Sequence, residues 1–246
     1  KIDQFVFLNC ENLTSVSIPV SIESIGLYAF AGCDSLTSVT IPDSVTNIDS
    51  GAFSSCSSLT NITIPDSVKS IGDDAFRDCT RLTSIVIPTS VTNIAEFTFY
   101  GCTRLTSIAI PRSVTNIDYG AFMDCTSLTN ITISKNVTNI GDNAFYGCTN
   151  LTSITIPKSV TSIGDYTFTD CNNLTIYGYK NSYAEEYAKT NNIKFAVINS
   201  LADTNTNITV SGVKQDDVVL NVAKLENTFK NSVATYDITL QKDGAV

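Results

Sequence analysis

The 246-residue sequence has no histidine, no tryptophan and only one methionine. Histidine is the commonest general base in enzymes and the commonest metal ligand, so its absence weighs against both kinds of site. No Ser/Lys or Ser/Asp pair stands out among the many hydroxyl residues, and a nucleophilic serine would need an unusual base. We therefore expect no enzyme activity, no catalytic or metal-ligating residues and no cofactor.

Charged residues are also scarce, at 16% of the chain, and acidic ones outnumber basic ones. The formal net charge of −9 at pH 7 argues against nucleic acid and against anionic membranes as partners of the whole surface. No apolar run approaches the ~18 residues of a transmembrane helix, so we expect no membrane insertion. Hydrophobic residues make up 43% of the chain, which is enough to build a buried core.

What the sequence does contain is a repeat of 23 residues. All eight cysteines keep this interval: Cys10, Cys33, Cys56, Cys79, Cys102, Cys125, Cys148 and Cys171. Leucine follows each cysteine by three residues, and phenylalanine precedes each by three. All six prolines lie nine residues after a cysteine, and in the first seven units only Ser134 departs from that column. A period of about 20–50 residues is the signature of a solenoid, whose units bury a core only by stacking.

Within one unit the spacing predicts two extended segments and an outer turn. In LTSVTIP, the inward-facing Val39 and Ile41 show the period-two alternation of a strand. SVTNI, at 44–48, predicts a second extended stretch in which Asn47 can hydrogen-bond to the neighbouring unit. GDDAFRDC, at 72–79, predicts a capped helical turn on the outer side.

The pattern L-x-x-I-x-I-P-x-x-V-x-x-I-x-x-x-A-F-x-x-C resembles the BspA-like class of leucine-rich repeats of bacterial surface proteins, from residue 1 to about 197. The resemblance implies a right-handed leucine-rich-repeat solenoid with a parallel sheet on its concave face. It also implies an extracellular or bacterial cell-surface location and a role in adhesion or host interaction. The predicted fold class is therefore a repeat solenoid, mainly β with short helical turns, followed by a partial all-β module.

Both ends of the chain depart from the repeat. The first ten residues, KIDQFVFLNC, begin halfway through a unit, which predicts further sequence before them. After the last cysteine, SYAEEYAKT predicts a helix opened by a capping box of Ser182 and Glu185. IKFAVI then predicts a closing strand, and the stretch at about 172–199 resembles the terminal cap of the family.

These departures predict two domains. The first, residues 1–199, is the solenoid together with its cap. Residues 200–246 lose the 23-residue step and contain short strand-like segments such as NITVSG and ATYDITLQ. They predict the start of a β-sandwich-like module, which is short for a complete one.

The cysteine column is open to three interpretations. A metal site would need C-x-x-C pairs or histidine partners, and neither is present. Disulfides between units are within reach, because stacked units place equivalent Cα atoms ~4.8 Å apart, inside the bonding range. Stacked side chains nevertheless point the same way, which does not suit a bridge. We therefore predict a column of buried, free thiols that pack as small hydrophobic groups.

Aspartates at the seventeenth position after a cysteine are open to two interpretations. Asp73, Asp142 and Asp165 could be calcium ligands, but no second carboxylate accompanies them at a regular offset in every unit. Capping of the outer turns is the simpler explanation, and it is the one that we predict.

The outward-facing strand residues predict a concave face of small, neutral side chains. Binding hot spots are normally tryptophan, tyrosine or arginine, which are missing from the repeated strands. The hydroxyls therefore form either a binding surface or a solvent-tolerant face of good strand formers, and the sequence leaves both open. In the central units this face contains Thr83, Ser84, Thr106 and Ser107.

Charges on both sides of this face change sign along the chain. Ten residues after each cysteine, acidic residues occur in early units and basic residues in later ones. The same change occurs just before the strand, and the basic candidates are Arg81, Arg104, Arg112, Lys135 and Lys158. Because the planar arginine side chain can hold a carboxylate or sulfate in two places, the predicted ligand is an acidic protein or glycan.

The function predicted from these features is that of a non-catalytic binding or adhesion scaffold of an exported bacterial protein. Its partner would be a protein or glycan on a host or neighbouring cell surface. One alternative is a structural spacer that displays another domain, for which uniform charge along the edges is expected. Another is an accessory glycan-binding region of a larger protein, for which exposed aromatic residues on the sheet are expected.

Overall fold

The computed structural model describes residues 1–198, of which Lys1–Val197 form one compact unit. This unit is a solenoid of parallel β-strands, as predicted, and each 23-residue repeat makes one rung. The predicted β-sandwich-like module at 200–246 lies outside the described residues, and the predicted boundary at residue 199 stays a prediction.

The first row of short strands contains the LTSVTIP-type segments. Its members are β1 (Ser15–Ser17), β3 (Ser38–Thr40), β5 (Asn61–Ile62), β7 (Ser84–Ile85), β10 (Asn130–Thr132), β12 (Ser153–Thr155), β14 (Thr175–Gly178) and β15 (Lys194–Val197). They pair as β1-β3, β5-β7 and β10-β12-β14-β15, and single bridges from Thr40 to Thr63 and from Val86 to Ala109 extend the row between them. The first row therefore runs along the whole solenoid with interruptions.

The second row contains the SVTNI-type segments, which are even shorter. Its members are β2 (Ser24–Ile25), β4 (Asn47–Ile48), β6 (Ser70–Ile71), β8 (Asn93–Ile94), β9 (Asn116–Ile117), β11 (Asn139–Ile140) and β13 (Ser162–Ile163). They pair as β2-β4-β6 and β8-β9-β11-β13. The side chain of Asn47 donates to the Ser70 hydroxyl at 2.8 Å, which confirms the predicted hydrogen bond between rungs.

The outer segment of each rung differs from the predicted helical turn. Among the described residues the one α-helix lies in the cap, and GDDAFRDC forms consecutive turns instead. The amides of Asp74, Phe76 and Asp78 donate to carbonyls of the next rung at 2.7–2.9 Å, whereas the amides between them bond back within the turn. A helix would use all of these amides internally, so the alternation is what ties neighbouring rungs together.

The phenylalanine column forms the outer half of the core. Phe30, Phe53, Phe76, Phe99, Phe122 and Phe145 are fully buried. From Phe7 to Phe168 neighbouring rings stack with centroids 5.0–5.8 Å apart and planes within 10° of each other. Each ring therefore fills the space between two rungs, which neither rung could cover alone.

The eight cysteines are free, as predicted, and seven of them are buried, but Cys10 in the first rung is only half-buried, contrary to the prediction. Each buried thiol also has a polar partner that the sequence did not reveal. The Cys102 thiol donates to the Phe76 carbonyl of the preceding rung at 3.2 Å, and the other buried thiols repeat this contact at 3.1–3.3 Å. The column is thus both a hydrophobic filling and a weak hydrogen-bond ladder.

The cap contains the predicted helix and strand. Helix α1 (Tyr183–Thr190) begins after Ser182, whose hydroxyl accepts from the Glu185 amide at 3.3 Å. The Glu185 carboxylate accepts from the Asn181 amide at 2.6 Å, one residue earlier than a standard capping box requires. Strand β15 then pairs in parallel with β14 and closes the first row.

The cap also shortens the repeat by one residue. Strands β10 and β12 pair with the usual 23-residue offset, but Ser153 in β12 lies opposite Thr175 in β14, an offset of 22. Residues after β14 are therefore displaced by one position from the column that a fixed stride assigns to them.

Replacing a ring in the middle of the phenylalanine column should leave a cavity between two neighbours. We expect Phe99→Ala to lower the free energy of unfolding by ~3–5 kcal/mol. Phe7→Ala should cost much less, because Phe7 is only partly buried and stacks on one ring alone. Urea unfolding of both variants checks this, and equal costs would contradict the stacking argument.

The buried thiols should make stability depend on alkaline pH. Burial raises the pKa of the Cys33 thiol from 9.0 to about 11, and it raises the pKa of the Cys102 thiol well above 9.0. The unfolded chain therefore ionises first, so this stabilisation is complete below about pH 9 and is lost as the pH rises towards the folded-state values. Urea unfolding at pH 7, 8 and 9.5 should show a decrease only at the last pH.

The matched control for this measurement is Cys102→Ser, which keeps a donor for the Phe76 carbonyl and removes one ionising group. Its alkaline decrease should be smaller than that of the unchanged protein. The half-buried Cys10 is expected to react with a thiol reagent at pH 8, and rapid reaction of any further thiol in the native protein would show that the column is not buried.

Candidate binding site

The hydroxyl residues predicted to bind a ligand lie exposed in or beside the first row. Thr83, Ser84, Thr106 and Ser107 all face solvent. The Thr83 hydroxyl donates to the Thr60 carbonyl at 3.3 Å, and the Thr106 hydroxyl donates to the Thr83 carbonyl at 3.4 Å. The threonines therefore also support the stacking of rungs, and their hydroxyls reach a ligand mainly as acceptors.

Two of the predicted cations precede the first-row strands. Arg81 and Arg104 occupy equivalent positions on successive rungs, and both are exposed. Neither lies within ion-pair distance of a carboxylate in residues 1–198. They are available to an acidic ligand at this side of the strands.

The other three predicted cations follow the first-row strands. Arg112, Lys135 and Lys158 are exposed on three successive rungs, and none pairs with a carboxylate in the described part of the chain. The shortened repeat of the cap adds a fourth, because the offset of 22 aligns Lys180 with Lys158. We call Arg112, Lys135, Lys158 and Lys180 the cationic ridge.

Of the five predicted cations, only Lys158 lines either of the two cavities described below. On a single rung, Arg104 precedes the exposed first-row residues, whereas Arg112 follows them. The two arginines before the strands and the cationic ridge after them therefore lie on opposite sides of the exposed first row. A ligand that touches both groups must cross this row.

A cavity of about 370 Å³ lies at the cap end of the cationic ridge. Its lining includes Lys158, Lys180, Asn181, Ser182 and the exposed Tyr183. The Lys158 ammonium lies 5.0 Å from the centre of the Tyr179 ring, a cation–π contact that holds this side chain at the cavity. The site therefore combines two cations, hydrogen-bonding groups and an aromatic surface.

A second cavity of about 440 Å³ is lined by Asp170, Asn172, Asn173, Asn191 and Lys194, among others. Its charged groups are one carboxylate and one ammonium, so it offers no concentration of charge of either sign. It shares none of the residues that the sequence predicted for binding.

The outer turns carry the opposite charge. From Asp49 to Asp170 the turn segments contain ten carboxylates and a single cation, Arg77. Partial burial, together with the carboxylates of Asp170 and Asp78, raises the pKa of Asp124. The later repeats therefore separate charge, with acid on the turns and base beside the first row.

Arg77 is the centre of an aromatic cluster that the sequence analysis missed. Its guanidinium contacts the carboxylates of Asp74 and Asp78 at 3.1 and 3.4 Å. It also lies 4.6 Å from the centre of the Tyr100 ring and 5.7 Å from that of Phe97. Columns of aromatic residues just before the cysteines were the available signal, but they vary from unit to unit and so escape a search for constant positions.

Phe97 has a backbone conformation that is unusual for a bulky residue. Its φ is 52°, in the left-handed region, where the equivalent positions of two other rungs hold Gly51 and Gly120. The Phe97 ring lies over Gly120, and a Cβ at that glycine would approach the ring to 2.7 Å. The equivalent residues Tyr28, Asp74, Asn143 and Tyr166 are also left-handed, so the turn imposes this conformation in every described rung, and Phe97 adds the packing against Gly120.

Two of the three aspartates considered as calcium ligands, Asp73 and Asp142, act as turn caps, as predicted, whereas the Asp165 carboxylate makes no capping contact within residues 1–198. The Asp73 carboxylate accepts from the Glu96 amide at 3.2 Å, and the Asp142 carboxylate accepts from the Asp165 amide at 2.9 Å. Each caps the following rung. Within residues 1–198 no group of three or more acidic or cysteine side chains is arranged to hold a metal ion.

No helix in residues 1–198 has the length and hydrophobicity needed to cross a membrane.

The contact between Phe97 and Gly120 can be tested by a double-mutant cycle. Gly120→Ala should cost about 2–3 kcal/mol, since it combines left-handed strain with a clash against the ring. In a Phe97→Ala background the same change should cost only ~1–2 kcal/mol, because the ring is gone. Urea unfolding of the four proteins gives the coupling, and an identical cost in both backgrounds would refute the contact.

Comparison with known proteins agrees with this architecture. A protein of T. pallidum, described as the leucine-rich repeat protein TpLRR, is 34% identical, with 61% of this chain and 70% of that chain covered and a TM-score of 0.57. A leucine-rich repeat protein from Bacteroides ovatus is 29% identical, with 72% of this chain covered and a TM-score of 0.51. This chain covers only 58% of that second protein.

No curated protein is significantly similar to the chain. A family model described as the BspA type leucine rich repeat region matches six copies, at residues 1–126 and 92–212. Together these matches include more than half of the chain and all the rungs described above. The chain therefore belongs to the BspA-type leucine-rich repeat family.

Proposed function

We propose that the protein is a non-catalytic binding scaffold that works at the bacterial cell surface or outside the cell and attaches to an acidic protein or glycan. The observation that carries this proposal is a set of exposed cations without carboxylate partners in residues 1–198, on a chain of net charge −9. These cations are Arg81, Arg104, Arg112, Lys135 and Lys158. Unpaired positive charge on a mainly negative surface is suited to an acidic ligand.

The repeat supports a binding role because its exposed residues can vary while its buried residues stay the same. Every rung presents exposed side chains at fixed spacing on a buried scaffold of phenylalanine, leucine and cysteine. Substitution at an exposed position can therefore change the ligand without disturbing the fold. Membership of the BspA-type family supports a surface location, since the resemblance to that class implies export.

The distribution of charge favours binding over a purely structural spacer. A spacer gains nothing from particular charges, so a uniform arrangement is expected along its edges. In this protein the position ten residues after cysteine carries Asp43 and Asp66 in early rungs and bases from Arg112 onwards. The same sorting occurs before the strands, where Arg81 and Arg104 belong to central rungs.

The test is to change Arg81, Arg104 and Arg112 to glutamate and to measure attachment to host extracellular matrix over a range of salt concentrations. Attachment should fall strongly, and its dependence on salt should become shallower, because ionic contacts are lost. The matched control changes Lys69, Lys189 and Lys194 to glutamate, which alters net charge equally at exposed positions elsewhere. Attachment that survives the arginine changes, or falls equally in the control, would remove this site from consideration.

A further inference from the structure

The cationic ridge is longer than a fixed 23-residue stride indicates. Arg112, Lys135 and Lys158 keep that stride, whereas Lys180 joins them only because β14 is displaced by one residue. Both Lys158 and Lys180 line the same cavity, which confirms that the last two members are neighbours. Four exposed cations therefore stand on four consecutive rungs.

Nothing in the described residues balances this row of like charges. Successive rungs are ~4.8 Å apart, so each cation has a like charge as its nearest stacked neighbour. None of the four lies within ion-pair distance of a carboxylate in residues 1–198. The nearby Glu185 carboxylate is directed to the Asn181 amide instead. A ligand with a matching row of negative charges would relieve this repulsion.

The cavity at the cap end adds groups that recognise a sugar. Lys158 is held above Tyr179, Lys180 lies beside it, and Tyr183 exposes 41% of its surface at the cavity. The half-exposed Tyr177 adds an aromatic side chain to the outward face of β14, opposite Thr155. Tyrosine rings offer flat apolar faces to a sugar ring, and the two ammonium groups offer donors to its acidic substituent.

The spacing of the ridge favours a polysaccharide over an acidic peptide. In an extended peptide the side chains on one face recur every second residue, about 6.8 Å apart, which does not match the ~4.8 Å between rungs. A polysaccharide with an acidic group on every sugar carries these groups one sugar length apart, which is closer to the spacing between rungs.

We propose that a linear acidic polysaccharide lies along the cationic ridge, with one carboxylate or sulfate group in the cavity between Lys158 and Lys180. The proposal rests on the binding function proposed above and names the chemical class of the ligand. It also moves the centre of the site from the middle of the solenoid to its cap.

The experiment measures the affinity of the protein for two immobilised probes, heparin and polygalacturonate, at several NaCl concentrations. Heparin carries sulfate groups and polygalacturonate carries carboxylates alone, so the pair distinguishes the two acidic groups. Lys180→Glu should weaken binding by roughly tenfold at low salt and reduce the slope of log Kd against log salt concentration by about one. The control Lys69→Glu changes net charge by the same amount at an exposed position beside the second row, and it should leave both quantities nearly unchanged.

The role of the cavity is tested separately by Tyr183→Ala, which should weaken binding without changing the salt slope, because no ionic contact is lost. Equal effects of Lys180→Glu and Lys69→Glu would overturn the proposal, as would the absence of binding to both probes. The proposed binding function has its own test in the arginine triple variant on host matrix. A loss of attachment there, with no effect of Lys180→Glu here, would leave the scaffold function standing and refute the ridge.

Discussion

The hydrogen bonds between neighbouring rungs are the constraint on which the rest of the structure depends. On the strand side they form short parallel ladders, and on the outer side alternate turn amides such as those of Asp74 and Phe76 reach the next rung. Because these bonds pair equivalent residues, a unit cannot gain or lose a residue inside the array without breaking both ladders. The constant period then forces each buried side chain to stack on a copy of itself, which is why phenylalanine and cysteine recur without exception.

A constant core leaves the exposed columns free to differ from rung to rung. The position after the proline carries acid at Asp43 and Asp66 and base from Arg112 onwards, although the buried residues beneath it scarcely change. The outer turns carry mainly negative charge, and their carboxylates do not form ion pairs with the cationic ridge. This separation gives a protein with net charge −9 a basic surface, on which we propose that an acidic ligand binds. We place the centre of this proposed site at the cap, where the repeat loses one residue.

Most of the fold could be predicted because burial acts on every repeat alike. The strand rows, the phenylalanine stack and the free thiols follow from constant columns, whereas the Ser182 cap follows from a local capping box outside the repeat. The prediction of an outer helical turn was wrong, because the local capping signals are the same in a helix and in consecutive turns. Only the neighbouring rung decides which carbonyls the turn amides donate to. The sequence analysis did not identify Lys180, because a search at a fixed interval of 23 residues cannot detect a one-residue displacement. It did not identify the cluster around Arg77, because the residues at these positions vary between rungs.

At the cap, a displaced rung completes a row of cations next to tyrosines. A crystal structure of the protein with a short acidic oligosaccharide, from heparin or from polygalacturonate, would test whether a ligand binds there. We expect a sulfate or carboxylate within hydrogen-bonding distance of both Lys158 and Lys180, with the sugar chain continuing towards Lys135. An oligosaccharide bound only at Arg81 and Arg104, or against the outer turns, would contradict this expectation.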